Sequence, residues 1–134
     1  MKGMYKELIN SAISALKNAY CPYSKFRVGA AVLTKKGAVY TGSNVENASY
    51  GLTVCAERVA ICKAVSEGEK DMVALAIASD SSDYAFPCGA CRQVISEFNA
   101  DMKILLLNKK GGVRIVHSSE LMPLPFSGKQ VRKK

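Results

Sequence analysis

The residue pattern predicts an α/β domain built as a three-layer sandwich, with a mixed sheet of about five strands between helices. Segments of helical and strand periodicity follow one another in the order helix, strand, strand, helix, strand, helix, strand, strand. One of them, Met72 to Ala78, is continuously apolar at strand length, the mark of a strand covered on both faces and therefore central. A chain of 134 residues, 49% of them hydrophobic, is long enough to bury roughly 68% of its unfolded surface, so one domain over residues 1–128 is expected, followed by a basic tail over 129–134.

Met4, Leu8, Ala12, Leu16 and Ala19 recur at helical spacing and predict an amphipathic first helix from Met4 to Tyr20. Pro22 stops it, because proline excludes the helical conformation for the residue before it. Phe26–Leu33 and Ala38–Thr41 read as strands joined in a hairpin at Thr34 to Gly37. Gly42 to Leu52 is polar and turn-rich. Cys55 to Glu67 carries no breaker and reads as a helix stopped at Gly68. After the central strand a polar loop runs from Ser79, and Pro87 opens a helix from about Cys88 to Phe98, where the first amides lack partners in any case. Lys103–Asn108 and Val113–Val116 form a second hairpin, and Ser118–Leu121 is a short helical turn.

The net charge of +8 suggests nucleic acid at first sight. Lys35 and Lys36 precede Gly37, however, Lys109 and Lys110 precede Gly111, and most of the remainder is Lys129, Arg132, Lys133 and Lys134. These are two turn tips and a tail, with no interleaved aromatic residues to stack bases, so no nucleic-acid partner is expected. No run approaches the roughly 20 apolar residues that span a bilayer, and charged residues interrupt any secretory leader. A cytoplasmic, reducing compartment is expected, with the five cysteines free or bound to metal rather than paired.

Cys88 and Cys91, two residues apart at a helix start, can point both sulfurs at one metal, and the free amides there favour thiolate. Cys55 starts the preceding helix. Three protein ligands on tetrahedral zinc leave a fourth position for water, as in a catalytic site. Glu57 reaches that position only if Cys55 is the helix start, since residues two apart do not share a helix face. Three thiolates leave the zinc site with net negative charge, and Arg58, one turn beyond Cys55, can offset it through its donors. Arg92 has no assignment on these grounds. A thioredoxin-like redox pair would account for Cys88 and Cys91 but for neither Cys55 nor Glu57. Cys21 and Cys62 are expected to be small buried residues, and His117 a surface or packing residue.

Cys55-Ala56-Glu57-Arg58 and Pro87-Cys88-Gly89-Ala90-Cys91-Arg92-Gln93 resemble the zinc nucleoside deaminases. Asn44-Val45-Glu46-Asn47-Ala48 narrows the resemblance to the small cytidine deaminases with three cysteine ligands, and the likeness runs from Pro22-Tyr23-Ser24-Lys25-Phe26 to Phe126. The resemblance implies one Zn²⁺ per subunit on Cys55, Cys88 and Cys91. It further implies attack of zinc-bound hydroxide at C4 of cytidine or deoxycytidine and proton shuttling by Glu57. Uridine or deoxyuridine and ammonia are then the products, in pyrimidine salvage. It places Asn44 and Glu46 on the ribose 3′-hydroxyl, Phe26 and Ala56 against the substrate, and Arg58 and Gln93 behind the metal ligands. It also implies a homotetramer whose sites are completed by Tyr50 and Phe126 of neighbouring subunits. Three alternatives stay open at this point. Asn44 and Glu46 could make only local turn contacts, the substrate could be an aminopyrimidine antibiotic, and the zinc could serve a non-catalytic binding module.

Overall fold

Helix α1 (Lys2–Ala15) opens the computed structural model, which describes residues 2–131; Arg132, Lys133 and Lys134 of the expected tail lie outside the described residues. A 3₁₀ turn over Leu16–Asn18 follows α1, so the helical stretch ends before the Tyr20 expected from periodicity. Tyr20 is pulled into extended structure by pairing with Val45, its amide donating to the Asn44 carbonyl at 2.9 Å. Strand β1 (Val28–Thr34) starts later than Phe26, because the Asn44 side chain takes the backbone groups of Phe26 and Val28. Strand β2 (Val39–Ser43) continues past Thr41, its pairing with β1 running on to Gly29 opposite Ser43.

Helix α2 (Ala56–Ser66), strand β3 (Met72–Ser79), helix α3 (Gly89–Phe98), strands β4 (Lys103–Leu107) and β5 (Val113–His117) and the short helix α4 (Ser118–Leu121) complete the expected order. Pro87 lies outside α3: Cys88 is the cap, in extended conformation, and the helix starts at Gly89. A further 3₁₀ turn, Gly128–Gln130, was not expected from the sequence. The strands form one mixed sheet in the order β2-β1-β3-β4-β5, with β3 and β4 parallel and the other pairs antiparallel. Met72 to Ala78 is therefore the central strand, as its two-sided apolarity requires. Lys35, Lys36, Lys109 and Lys110 sit exposed at the tips of the two hairpins.

The layers follow from the side-chain sizes. Leu75 and Ile77 of β3 face α2 and α3, packing with Ala60, Ile61 and Ile95, while Ala74, Ala76 and Ala78 on the opposite face meet Leu8 and Ala12 of α1. Small residues on that face let α1 approach closely, and a Cβ at Gly29 would collide with the Ala12 carbonyl. Gly42 plays the same part for α2: a Cβ there would strike the Ala56 carbonyl and come within 2.5 Å of the Ala60 amide. Since neither backbone group can move without shifting the helix, Gly42→Ala is expected to destabilise the fold by about 1–3 kcal/mol. A urea unfolding curve checks the stability, and zinc affinity should fall as well, because the displaced part of α2 is its N-terminal turn.

Candidate active site and metal centre

The starts of α2 and α3 carry the three candidate ligands. Cys55 is the N-cap of α2, Cys88 the N-cap of α3, and Cys91 lies buried in the first turn of α3. All three sulfurs lie within 4.8 Å of one another, and Cys55 Sγ is 3.9 Å from Cys88 Sγ. Tetrahedral zinc with thiolate bonds of about 2.3 Å needs sulfurs roughly 3.8 Å apart, so the cluster fits that ion. Both helix N-termini contribute partial positive charge to the thiolates.

Arg58 reaches back one turn, its Nη2 donating to Cys55 Sγ at 3.4 Å. The adjacent Cys91 thiol is the chief influence that lowers Cys55 to about 5, with Arg58 and Cys88 adding to it. Cys91 is held well above the ordinary thiol range by Cys55 first and by burial next. Cys55 and Cys91 thus do not both ionise in the trio as it stands, and a cation on the three sulfurs takes the place of the thiol protons. Cys55 also raises the Arg58 pKa further, so the guanidinium stays charged. Glu57 follows Ala56 in the first turn of α2 and is only 4% exposed. Burial pushes its carboxyl up to about 7.

Glu57, Cys55 and Cys88 line one cleft together with Phe26, Asn44, Glu46 and Ala56. Asn44 and Glu46 bind segments distant in sequence rather than making local turn contacts. Asn44 Oδ1 accepts from the Val28 amide at 3.0 Å and its Nδ2 donates to the Phe26 carbonyl at 2.8 Å. Glu46 Oε1 accepts from the amides of Tyr23 and Ser24 at 3.0 and 3.1 Å, and Oε2 accepts from the Ser24 hydroxyl. Ser24 first, then these amides and Lys25, hold the Glu46 carboxyl below its ordinary range.

Tyr50 is 74% exposed, stands edge-on to Tyr23 and lines an adjoining groove rather than the cysteine cleft. Phe126 lies in a separate groove beside Glu97, and its carbonyl accepts from Gln93 Nε2 at 2.7 Å, so the Gln93 amide tethers the C-terminal segment rather than a sulfur. Arg92 donates to the carbonyls of Pro87 and Leu121, tying the start of α3 to α4. Cys62 departs from expectation: it is exposed, not buried, because it falls on the outer face of α2; Cys21 is half-buried. His117 is partly exposed beside Asp101. Several residues of the cleft carry no assignment from the sequence, Ser24 and Phe86 among them. The positions of these two beside Phe26 and Pro87 were the available signal.

The family model for the cytidine and deoxycytidylate deaminase zinc-binding region matches residues 3–107. A cytidine deaminase of Halalkalibacterium halodurans is 51% identical over 125 residues, covering 92% of this chain and 95% of that protein. The crystal structure of cytidine deaminase from Burkholderia pseudomallei is similar with a TM-score of 0.88 at 42% identity, over 91% of this chain and 98% of that one. A more distant relative, a blasticidin-S deaminase of Bacillus cereus, is 33% identical over 129 residues, 90% of this chain and 91% of that protein. The fold matches, the three sulfurs fit one zinc per subunit, and the family match spans most of the chain. This chain belongs to the cytidine and deoxycytidylate deaminase zinc-binding family.

Proposed function

We propose that this chain hydrolyses cytidine and deoxycytidine to uridine and deoxyuridine, with release of ammonia, in cytoplasmic pyrimidine salvage. The observation that carries the reading is a buried carboxyl, Glu57, beside a three-sulfur cluster, Glu57 lining with Cys55 and Cys88 a cleft whose other polar groups are Asn44, Glu46, Ser24 and Thr53. Cys55, Cys88 and Cys91 hold the zinc, which when bound supplies the Lewis acidity that brings a water's pKa toward about 7. Glu57 takes a proton from the attacking water, delivers it to N3 of the pyrimidine and carries a second to the departing amino group. Arg58, hydrogen-bonded to Cys55, draws charge from that sulfur.

Asn44 Nδ2 has one N–H left after its bond to Phe26, and a carboxylate with about four acceptor positions has about one left after the three donors on Glu46. These are the groups offered to the sugar, with Phe26 and Ala56 against the nucleoside. An absorbance assay with cytidine, deoxycytidine, cytosine and CMP, with and without a chelator, tests the reading. The two nucleosides should be turned over. CMP should be slower by about 100-fold, since the cleft carries two carboxylates and, among the described residues, no cationic side chain, and like charges brought together cost several kcal/mol. Inactivity on all four with turnover of blasticidin S would transfer the chain to the antibiotic deaminases.

We further propose a homotetramer in which Tyr50 and Phe126 complete neighbouring sites. Supporting this, both are exposed, as is Leu124 at 94%, and neither lines the cysteine cleft of its own chain. Sedimentation should give about four times the 14.4 kDa chain mass; a fully active monomer would refute the shared site. Residues 1–128 would form the catalytic domain and 129–134 a basic tail. The cytoplasmic assignment is supported by free cysteines arranged as metal ligands, and no described helix is long and apolar enough to cross a membrane.

A further inference from the structure

We infer that Ser24 is a positioning residue that sets the Glu46 carboxylate and the Phe26 backbone at the sugar end of the cleft, and thereby determines selectivity for a free 3′-hydroxyl. The inference rests on the proposed sugar-binding role of Glu46. Among the described residues, Ser24 alone holds both groups: its Oγ donates to Glu46 Oε2 and accepts from the Phe26 amide at 3.0 Å, while its own amide donates to Glu46 Oε1 at 3.1 Å. It also lines both the cysteine cleft and the adjoining groove.

The direction of these bonds gives the cluster its selectivity. An ionised carboxylate only accepts, so the single hydroxyl proton of Ser24 is committed to Glu46, and one of its lone pairs is committed to Phe26. What the Ser24–Glu46 pair has left to offer a ligand is therefore acceptor capacity alone. It suits a sugar hydroxyl that brings a proton, and leaves an unmatched acceptor when the 3′ oxygen is absent or capped.

The turn that presents Ser24 is built at a cost. Lys25 adopts φ 62, a left-handed conformation that a lysine rarely takes, and its amide closes the turn on the Cys21 carbonyl at 2.9 Å. Such a conformation persists where surrounding bonds over-determine it, and here those bonds converge on Glu46.

The test compares kcat and KM for cytidine and 3′-deoxycytidine in the wild-type enzyme, Ser24→Ala and Ser24→Thr. Wild type should prefer cytidine. Ser24→Ala should raise KM for cytidine about 5- to 20-fold with kcat nearly unchanged, the lower range for a hydrogen bond to a charged group because Ser24 is exposed. It should change the parameters for 3′-deoxycytidine much less, since only the Phe26 contact is lost there, and Ser24→Thr should restore the preference. If Ser24→Ala retains the wild-type preference, or weakens both substrates equally, the inference is overturned while the role of Glu46 stands. If wild type itself does not distinguish the two substrates, the sugar role of Glu46 fails and the inference falls with it.

Discussion

Glu57→Ala is expected to retain one zinc per chain and to lose kcat for cytidine by about 10²- to 10⁴-fold or more, the contribution of a positioned general acid and base. The two halves of this result are separable because Glu57 is not one of the three clustered sulfurs, and its side chain is buried at the first turn of α2 beside them. Removing it takes away the only carboxyl of that helix start that lines the cleft, leaving no group there to move protons between water, ring nitrogen and amine. Burial of a carboxyl is unfavourable to the fold, so the variant should melt no lower than wild type. Metal content by elemental analysis, a melting curve and a single absorbance assay decide the matter. Near-normal turnover would remove Glu57 from the mechanism, and loss of zinc would make it a ligand.

Cys88→Ser should abolish activity by the opposite route, with zinc affinity down by at least about 10²-fold, a larger effect than is usual for residues behind a ligand. Two thiolates would remain, and a neutral serine hydroxyl is not among the ligands zinc takes. Serine is nevertheless a better N-cap than cysteine, and Cys88 caps α3 without a side-chain hydrogen bond of its own. The variant should therefore be as stable as chelator-treated wild type, or more so by about 0.5–1 kcal/mol. Elemental analysis after gel filtration, with unfolding of both apo proteins, distinguishes loss of a ligand from loss of the helix. Full zinc occupancy in the variant would exclude Cys88 from the ligand set.

The layered fold was legible because it is written in local pattern. The apolar run of β3, the helical spacing of α1 and the two hairpin turns each state which faces are buried, and burial of those faces admits few arrangements. Element ends were less legible. The early end of α1 and the late start of β1 come from Val45 and from the Asn44 side chain, both distant in sequence from the ends they set. The preference of proline for a first helical position puts the expected start of α3 at Pro87, whereas the backbone gives that place to Cys88 and Gly89.

The site divides the same way. Cys88 and Cys91 sit within one helical turn, so their spacing alone brought two sulfurs together, and the Cys55 to Arg58 contact is likewise one turn long. By itself, then, the sequence determined the layers, the central strand and the ligand types. Only the tertiary structure decided that the starts of α2 and α3 meet, placing Cys55 3.9 Å from a sulfur 33 residues away, and that Gly42 lets α2 lie close enough for it. It also turned Cys62 outward and bound Ser24 to Glu46 across 22 residues. The physical reason is that periodicity records which side chains leave water, whereas a polar side chain's partner is whatever distant segment the packed sheet carries to it.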